Sequence, residues 1–209
     1  MLSKRKHIPS SSIYAVVDRE ACAGKSLSLI ARDCVRAGVK IIQLRDKTEN
    51  INRFYHEALL ARKIIGNKAL FIINDRVDIA KLAQADGIHL GQYDIPVRAA
   101  RKILGPQAII GKSCHSLSQA LDAQKEGVDY ISVGPIFSTP TKPSYKAVGL
   151  KLLQKVQKRL TIPIVAIGGI NKDTLASVRE TKVRLVAVVR AVCKAKNIVK
   201  AVKELEYSL

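Results

Sequence analysis

Tryptophan is absent from the 209 residues, and aromatics amount to six tyrosines and three phenylalanines. Large aromatic anchors therefore cannot fill the interior, and an aliphatic core favours a Val/Ile/Leu-rich parallel sheet over an aromatic-anchored sandwich. Cysteine is scarce as well. Cys22, Cys34, Cys114 and Cys193 stand far apart with no Cys-x-x-Cys pair, which excludes a zinc ribbon and a dithiol redox motif and suits reduced thiols in the cytoplasm. No apolar run approaches membrane-spanning length. Lys4, Arg5 and Lys6 have no apolar stretch behind them, so residues 1–12 read as a short flexible leader rather than a secretory signal. Residues 13–209 are expected to form one domain. Acidic residues are few, 17 against 36 basic ones, and the formal net charge is +19. Something anionic is the expected partner. The basic residues are scattered and do not interleave with aromatics, which points to phosphorylated small molecules and not to nucleic acid. A homo-oligomer is compatible with this composition.

What is present is a regular beat. Hydrophobic residues make up 47% and charged ones 25%, the balance of a globular chain and not of a disordered or coiled-coil one. Nearly continuous apolar runs recur at 13–18, 40–45, 70–74, 87–90, 108–112, 130–134, 164–168 and 185–189, each followed by a turn and a stretch with helical spacing. Strands buried on both faces lose polar alternation and need helices to cover them. About eight such pairs fit a closed single-domain (β/α)8 TIM barrel. An open doubly wound sheet fits less well, because Asp18, Arg19 and Glu20 follow the first strand where a dinucleotide fold places glycines.

In such a barrel, chemistry gathers where strands end and loops begin. Arg45 and Lys47 lie two apart at the end of the second strand and so point to one side, an arrangement that suits phosphate. Neutralisation by Asp46 and the neighbouring helices is the structural alternative. Asp75 and Asp94 follow the third and fourth strands. Each is placed to cap the next helix, but together, beside Arg45, Lys47 and Lys142, they suit Mg²⁺, which takes one or two carboxylates and completes its shell with phosphate and water. Gly168 and Gly169 follow the seventh strand, where backbone can approach a ligand closely or simply turn. Cys114 and His115 are sequence neighbours on a strand and point to opposite faces, so they make no nucleophile-base dyad. For Tyr130, Tyr145 and His89, packing is the default role.

Six segments in order resemble thiamine phosphate synthases: Gln43-Leu44-Arg45-Asp46-Lys47, Ile73-Asn74-Asp75, the run from Asp86 to Asp94, the run from Gly111 to Ser116, the run from Gly134 to Lys142, and the run from Val165 to Ile170. The resemblance spans about residues 13–192. It implies a barrel enzyme that joins a hydroxymethylpyrimidine diphosphate to a thiazole phosphate with Mg²⁺, releasing pyrophosphate and forming thiamine phosphate. It further implies that Gln43, Leu44, Arg45, Asp46, Lys47, Asn74, Ser113 and Lys142 form the pyrimidine diphosphate site. Arg45, Lys47, Ser113 and Lys142 would carry catalysis, and Asp75 and Asp94 would hold the metal. Thr139, Pro140, Thr141, Gly169, Val189 and Arg190 fall at the thiazole phosphate. The family usually has Gly-Ala-Asp-Gly before its eighth strand and Ser after the Val-Val pair, whereas this chain has Lys182-Val183-Arg184-Leu185 and Arg190. The related thiazole tautomerases typically carry a His near the start of the loop after the sixth strand, where this chain has Pro135, and lack the carboxylate pair. They are the enzymatic alternative, and a non-catalytic phosphate-ligand binder is the alternative from another class.

Overall fold

The computed structural model describes residues 7–141 and 145–207. Eight parallel strands close on themselves in sequence order. They are β1 (Ser12–Asp18), β2 (Ile41–Arg45), β3 (Leu70–Asn74), β4 (Gly87–Leu90), β5 (Ile109–Cys114), β6 (Tyr130–Val133), β7 (Ile164–Ile167) and β8 (Leu185–Val188). Helices α1 (Leu27–Ala37), α2 (Ile51–Ile65), α3 (Val77–Leu82), α4 (Val97–Leu104), α5 (Leu117–Lys125), α6 (Gly149–Gln157) and α7 (Leu175–Glu180) join successive strands, and α8 (Arg190–Cys193) and α9 (Ile198–Tyr207) follow the last. The short α8 is the one described element that apolar periodicity does not predict, since four residues are too few to show a period.

Closure requires each strand to bury both faces, and period-two alternation divides its residues between two cores. On β1, Ile13, Ala15 and Val17 pack outward beneath the helices, and Tyr14 and Val16 pack inward. The outward core holds Leu44, Phe71, Ile73, Ile88, Ile110 and Val186 against Leu27, Ile30, Phe54, Leu153 and Val202 of the helices. The inner core is smaller, with Ile41, Leu70, Ile72, Ile109, Val165 and Leu185 beside Tyr14 and Tyr130.

The expected leader is shorter than 1–12. Ser12 is already strand, its N–H donating to the Arg184 carbonyl at 3.2 Å, and Ile8 packs against the inner core. Pairing with β8 recruits Ser12, and contact with the inner core recruits Ile8. Residues 1–6 lie outside the described residues.

Helix ends agree with local sequence. Ser26 caps α1 by accepting from the Leu29 N–H, Asn50 caps α2 through Arg53 N–H, and Ser116 caps α5 through Gln119 N–H. Glu57 reinforces α1 from outside the helix, accepting from the N–H groups of Leu27 at 3.2 Å and Ser28 at 2.9 Å.

Inside the barrel, Gly111 of β5 sits in register with Tyr130 of β6, and a Cβ there would lie 2.1 Å from the phenol ring. Gly111→Ala is expected to displace that ring at an overpacking cost of roughly 1–3 kcal/mol, lowering Tm by several degrees in a thermal melt. An unchanged Tm would show that the ring is free to move.

Candidate active site

At the C-terminal ends of the strands the inward residues become polar. Gln43 and Arg45 on β2, Asn74 on β3, His89 on β4, Ser113 on β5 and Ser132 on β6 all line one cavity of about 490 Å³. Register aligns them, since Asn74 pairs with His89 and Ser113 with Ser132. Below them the phenols of Tyr14 and Tyr130 approach at 2.8 Å. Gln43 Nε2 donates to the Tyr14 hydroxyl at 2.7 Å, and His89 Nδ1 lies 2.9 Å from the Tyr130 hydroxyl. His89 Nε2 lies 2.9 Å from Ser113 Oγ and 3.3 Å from Ser132 Oγ. Burial pushes the pKa of both phenols above the ordinary tyrosine value, so both keep their protons at neutral pH. His89 and Tyr130 are thus parts of a buried polar network and not simply packing residues.

The two cations at the end of β2 are each matched to a carboxylate. Arg45 pairs with Asp18 of β1, and Lys47 pairs with Asp75. Asp46, the expected neutraliser of both, turns the other way: its Oδ2 accepts from Arg19 at 3.0 Å and its Oδ1 from the Thr48 N–H at 2.9 Å. Burial opposes its ionisation, but the hydroxyl and N–H of Thr48 and the Arg19 guanidinium outweigh it and lower its pKa. Leu44 also faces away, into the outward core. Neither Leu44 nor Asp46 lines the cavity, because alternation sends 44 and 46 outward whenever 43 and 45 point in.

Neither Asp75 nor Asp94 caps a helix. The residues at those caps are Arg76 and Pro96, neither of which makes a side-chain cap bond. Asp75 instead adopts left-handed backbone, φ 58°, with its N–H on the His89 carbonyl at 2.9 Å. Aspartate tolerates this conformation better than most residues, and such outliers cluster at functional sites. Asp94 accepts from the Gly91 N–H. The two carboxyls come within hydrogen-bonding reach of each other. Burial first, and then this neighbour, raise the pKa of Asp75 against the opposing pull of Lys47. Two carboxylates competing for one place fit a divalent cation. No third His, Cys, Asp or Glu joins them among the described residues, which leaves the remaining coordination to water and phosphate.

Across the cavity, Thr139, Pro140 and Thr141 from the β6 loop, Gly169 from the β7 loop, and Val189 and Arg190 after β8 all line the same wall. Lys142 lies outside the described residues. Gly168 and Gly169 have φ values of 100° and 67°, and their close approach is to protein: a Cβ would lie 2.5 Å from Pro135 Cα and 2.7 Å from Phe137 Cβ, respectively. The two loops join through the Ile136 N–H on the Ile167 carbonyl at 2.9 Å and the Phe137 N–H on the Gly168 carbonyl at 3.0 Å. His115 also lines the cavity, 2.6 Å from the Gly134 carbonyl, and Cys114 is buried on the opposite face, as their adjacency predicts. Sequence reasoning missed Tyr14, Ser132 and Lys194. The first two are polar residues at inward positions, a signal available from strand alternation alone.

Fold and cavity together define a (β/α)8-barrel protein with a small-molecule cavity at the C-terminal ends of its strands. The sequence profile of the thiamine monophosphate synthase family matches residues 13–192. The thiamine-phosphate synthase of Ruminiclostridium cellulolyticum is 39% identical over 195 residues, covering 93% of each chain. That of Syntrophomonas wolfei subsp. wolfei is 41% identical over 189 residues, 90% of each. The solved thiamine phosphate pyrophosphorylase from Pyrococcus furiosus superposes with a TM-score of 0.86 at 36% identity, covering 95% of both chains. The chain belongs to the thiamine monophosphate synthase family, a family of transferases.

The raised pKa of Asp75 has a consequence for stability. A folded pKa above the unfolded one adds stability below the unfolded value and loses it as pH rises through the folded value. At neutral pH the ionised Asp75 therefore works against folding. Asp75→Asn is expected to raise Tm at pH 7 in metal-free buffer, the gain vanishing below about pH 4, where both states are protonated. A lower Tm at pH 7 would show that the Lys47 pair outweighs burial.

Proposed function

We propose that this chain joins a hydroxymethylpyrimidine diphosphate to a thiazole phosphate, forming thiamine phosphate and pyrophosphate. The observation that carries this reading is the carboxylate pair Asp75 and Asp94 beside Lys47, next to the cavity-lining Asn74 and His89 in a chain of this family, although these three residues do not themselves line the cavity. The thiazole tautomerase alternative lacks that pair.

In this reading the bond between the pyrimidine methylene and the diphosphate oxygen breaks first, its electron pair leaving with pyrophosphate. A pyrimidine methylene cation develops, and the thiazole ring nitrogen supplies the pair that forms the new C–N bond. No proton moves at the reacting carbon, so no general base is needed. The work is charge neutralisation and positioning. Arg45, Lys47 and Lys142 take up charge on the departing diphosphate, Asn74 and Ser113 donate hydrogen bonds to it, and Gln43 orients the pyrimidine. Asp75 and Asp94 would hold Mg²⁺, which when bound adds positive charge at the leaving oxygens. Thr139, Thr141 and Gly169, with Pro140 and Val189 behind them, would receive the thiazole phosphate. Arg190 and Lys194 also line that wall and make no side-chain hydrogen bond or ion pair among the described residues, which leaves their charge available to a phosphate.

A cytoplasmic setting agrees with four buried free thiols. No helix among the described residues is long and apolar enough to cross a membrane.

The test is pyrophosphate release on mixing protein, pyrimidine diphosphate, thiazole phosphate and Mg²⁺, with each omitted in turn. Release that needs all of them, with thiamine phosphate formed, is the expected result. Asp94→Ala is expected to lower the rate more than about hundredfold while the circular dichroism stays that of the folded barrel. A folded wild type that releases nothing would move the assignment to a phosphate-ligand binder, and unchanged release in Asp94→Ala would remove the metal role.

A further inference from the structure

The buried network beneath the cavity has a direction. It starts from the Gln43 amide nitrogen, which can only donate, and does so to the Tyr14 hydroxyl. Each phenol carries one proton. With Tyr14 already accepting, its own proton goes to Tyr130, and the proton of Tyr130 goes to His89 Nδ1. His89 Nδ1 is then an acceptor, so the ring proton sits on Nε2, where the shorter contact is the donation to Ser113 Oγ at 2.9 Å and Ser132 Oγ, at 3.3 Å from Nε2, in turn donates to Ser113 at 3.5 Å. Ser113, already accepting, is left with its own O–H free for the cavity. We infer that the chain Gln43–Tyr14–Tyr130–His89 is a proton-ordered relay that positions Ser113 as a hydrogen-bond donor to an anionic ligand and leaves the Gln43 carbonyl oxygen free to accept.

The opposite order is chemically closed as well. If Gln43 accepted from Tyr14, each later bond would reverse, His89 would carry its proton on Nδ1, and the Ser113 proton would turn down toward Nε2. Such a site would present a lone pair, not a donor, to a phosphate oxygen. A charged imidazolium is also disfavoured, because Nδ1–H would donate to Tyr130 and leave one phenol proton buried without an acceptor. Burial keeps both phenols protonated, so neither order is lost to titration of a tyrosine. Tyr14, Tyr130 and His89 are in this sense positioning residues. Gly111 belongs with them, since its missing side chain admits the Tyr130 ring.

The inference rests on Ser113 facing the diphosphate in the reading above, so its tests include measurements that need no turnover. The first is long-range ¹H–¹⁵N NMR of the imidazole nitrogens in the full-length wild type at neutral pH, with His89 assigned by comparison with His89→Gln. A neutral ring protonated on Nε2 is expected. Protonation on Nδ1, or an imidazolium, overturns the relay. The second is calorimetric binding of inorganic pyrophosphate with Mg²⁺ to wild type, Tyr130→Phe, Ser113→Ala and the double variant, each checked for native circular dichroism. Each single change is expected to weaken binding about tenfold, and the double variant by little more than either alone, because Tyr130 acts through Ser113. Independent, multiplying losses would assign Tyr130 a packing role and overturn the proposal. Tyr14→Phe, which also cuts the relay but spares the His89 contact, serves as the second route should Tyr130→Phe not fold. The same non-additivity with Ser113→Ala is then required. A wild type that binds pyrophosphate and has the expected tautomer, yet releases none from the two substrates, would fail the reaction assignment and leave the relay standing.

Discussion

Barrel closure is the constraint from which the rest of the structure follows. Once eight parallel strands meet edge to edge, every inward side chain has to be accommodated in a space of fixed width, with no solvent-facing side to receive misfits. At the bottom the solution is aliphatic, with Ile41, Leu70, Ile109 and Leu185 filling the section. At the top the inward positions are Gln43, Asn74, His89, Ser113 and Ser132, and polar groups there need partners. Tyr14 and Tyr130 provide the transition, since their rings belong to the apolar section and their hydroxyls to the polar one. No buried side-chain nitrogen or oxygen is left without a partner among the described residues. The cavity floor is therefore a satisfied network that holds its shape before any ligand arrives, which is what positioning catalysis requires.

The electrostatics follow a similar division. In a chain of net charge +19 the two cations at the end of β2 are each paired: Arg45 is held by Asp18, and Lys47 by Asp75. Arg19 anchors the loop after β2 from behind, bonding Asp46 at 3.0 Å and Glu57 at 3.4 Å. Asp46 and Glu57, whose pKa values are lowered, contribute to stability at neutral pH, whereas Asp75 sits where burial and its carboxylate neighbour oppose ionisation, and it detracts from stability unless a cation relieves it.

Much of this was legible in the sequence. Each apolar run became a strand and the closed order followed from their number, because buried parallel strands lose polar alternation and leave an unambiguous trace. Part of the cavity is legible for the same reason: Arg45, Asn74 and Ser113, which line it, stand at the ends of apolar runs. What could not be read was the pairing of charges. Asp46 adjoins both Arg45 and Lys47 in sequence and bonds neither, whereas Asp18, which does bond Arg45, is remote in the chain and adjacent only once β1 and β2 are in register. Leu44 and Asp46 entered the candidate site as members of a contiguous motif, although strand alternation already directs them outward. For His89 and Tyr130 the sequence supports only a packing role, because a lone polar residue in an apolar run carries no information about a partner on another strand.

The side of the cavity proposed for the thiazole phosphate is built differently from the side proposed for the diphosphate. The cavity-lining residues Gln43, Arg45, Asn74 and Ser113 sit on strands, whereas Thr139, Thr141 and Gly169 sit on loops, which are ordinarily the more mobile parts of a barrel. Here the loops after β6 and β7 are not independent. Two backbone hydrogen bonds tie them together, and Gly168 and Gly169 lack side chains where Pro135 and Phe137 press closest. A side chain at either glycine would separate the loops as well as strain the backbone, since both positions have left-handed φ. The backbone after β6 at Ile136 and Phe137 is therefore held against the end of β7 and the loop that follows it, so that one side of the cavity is fixed by barrel closure and the other by the contact between two loops.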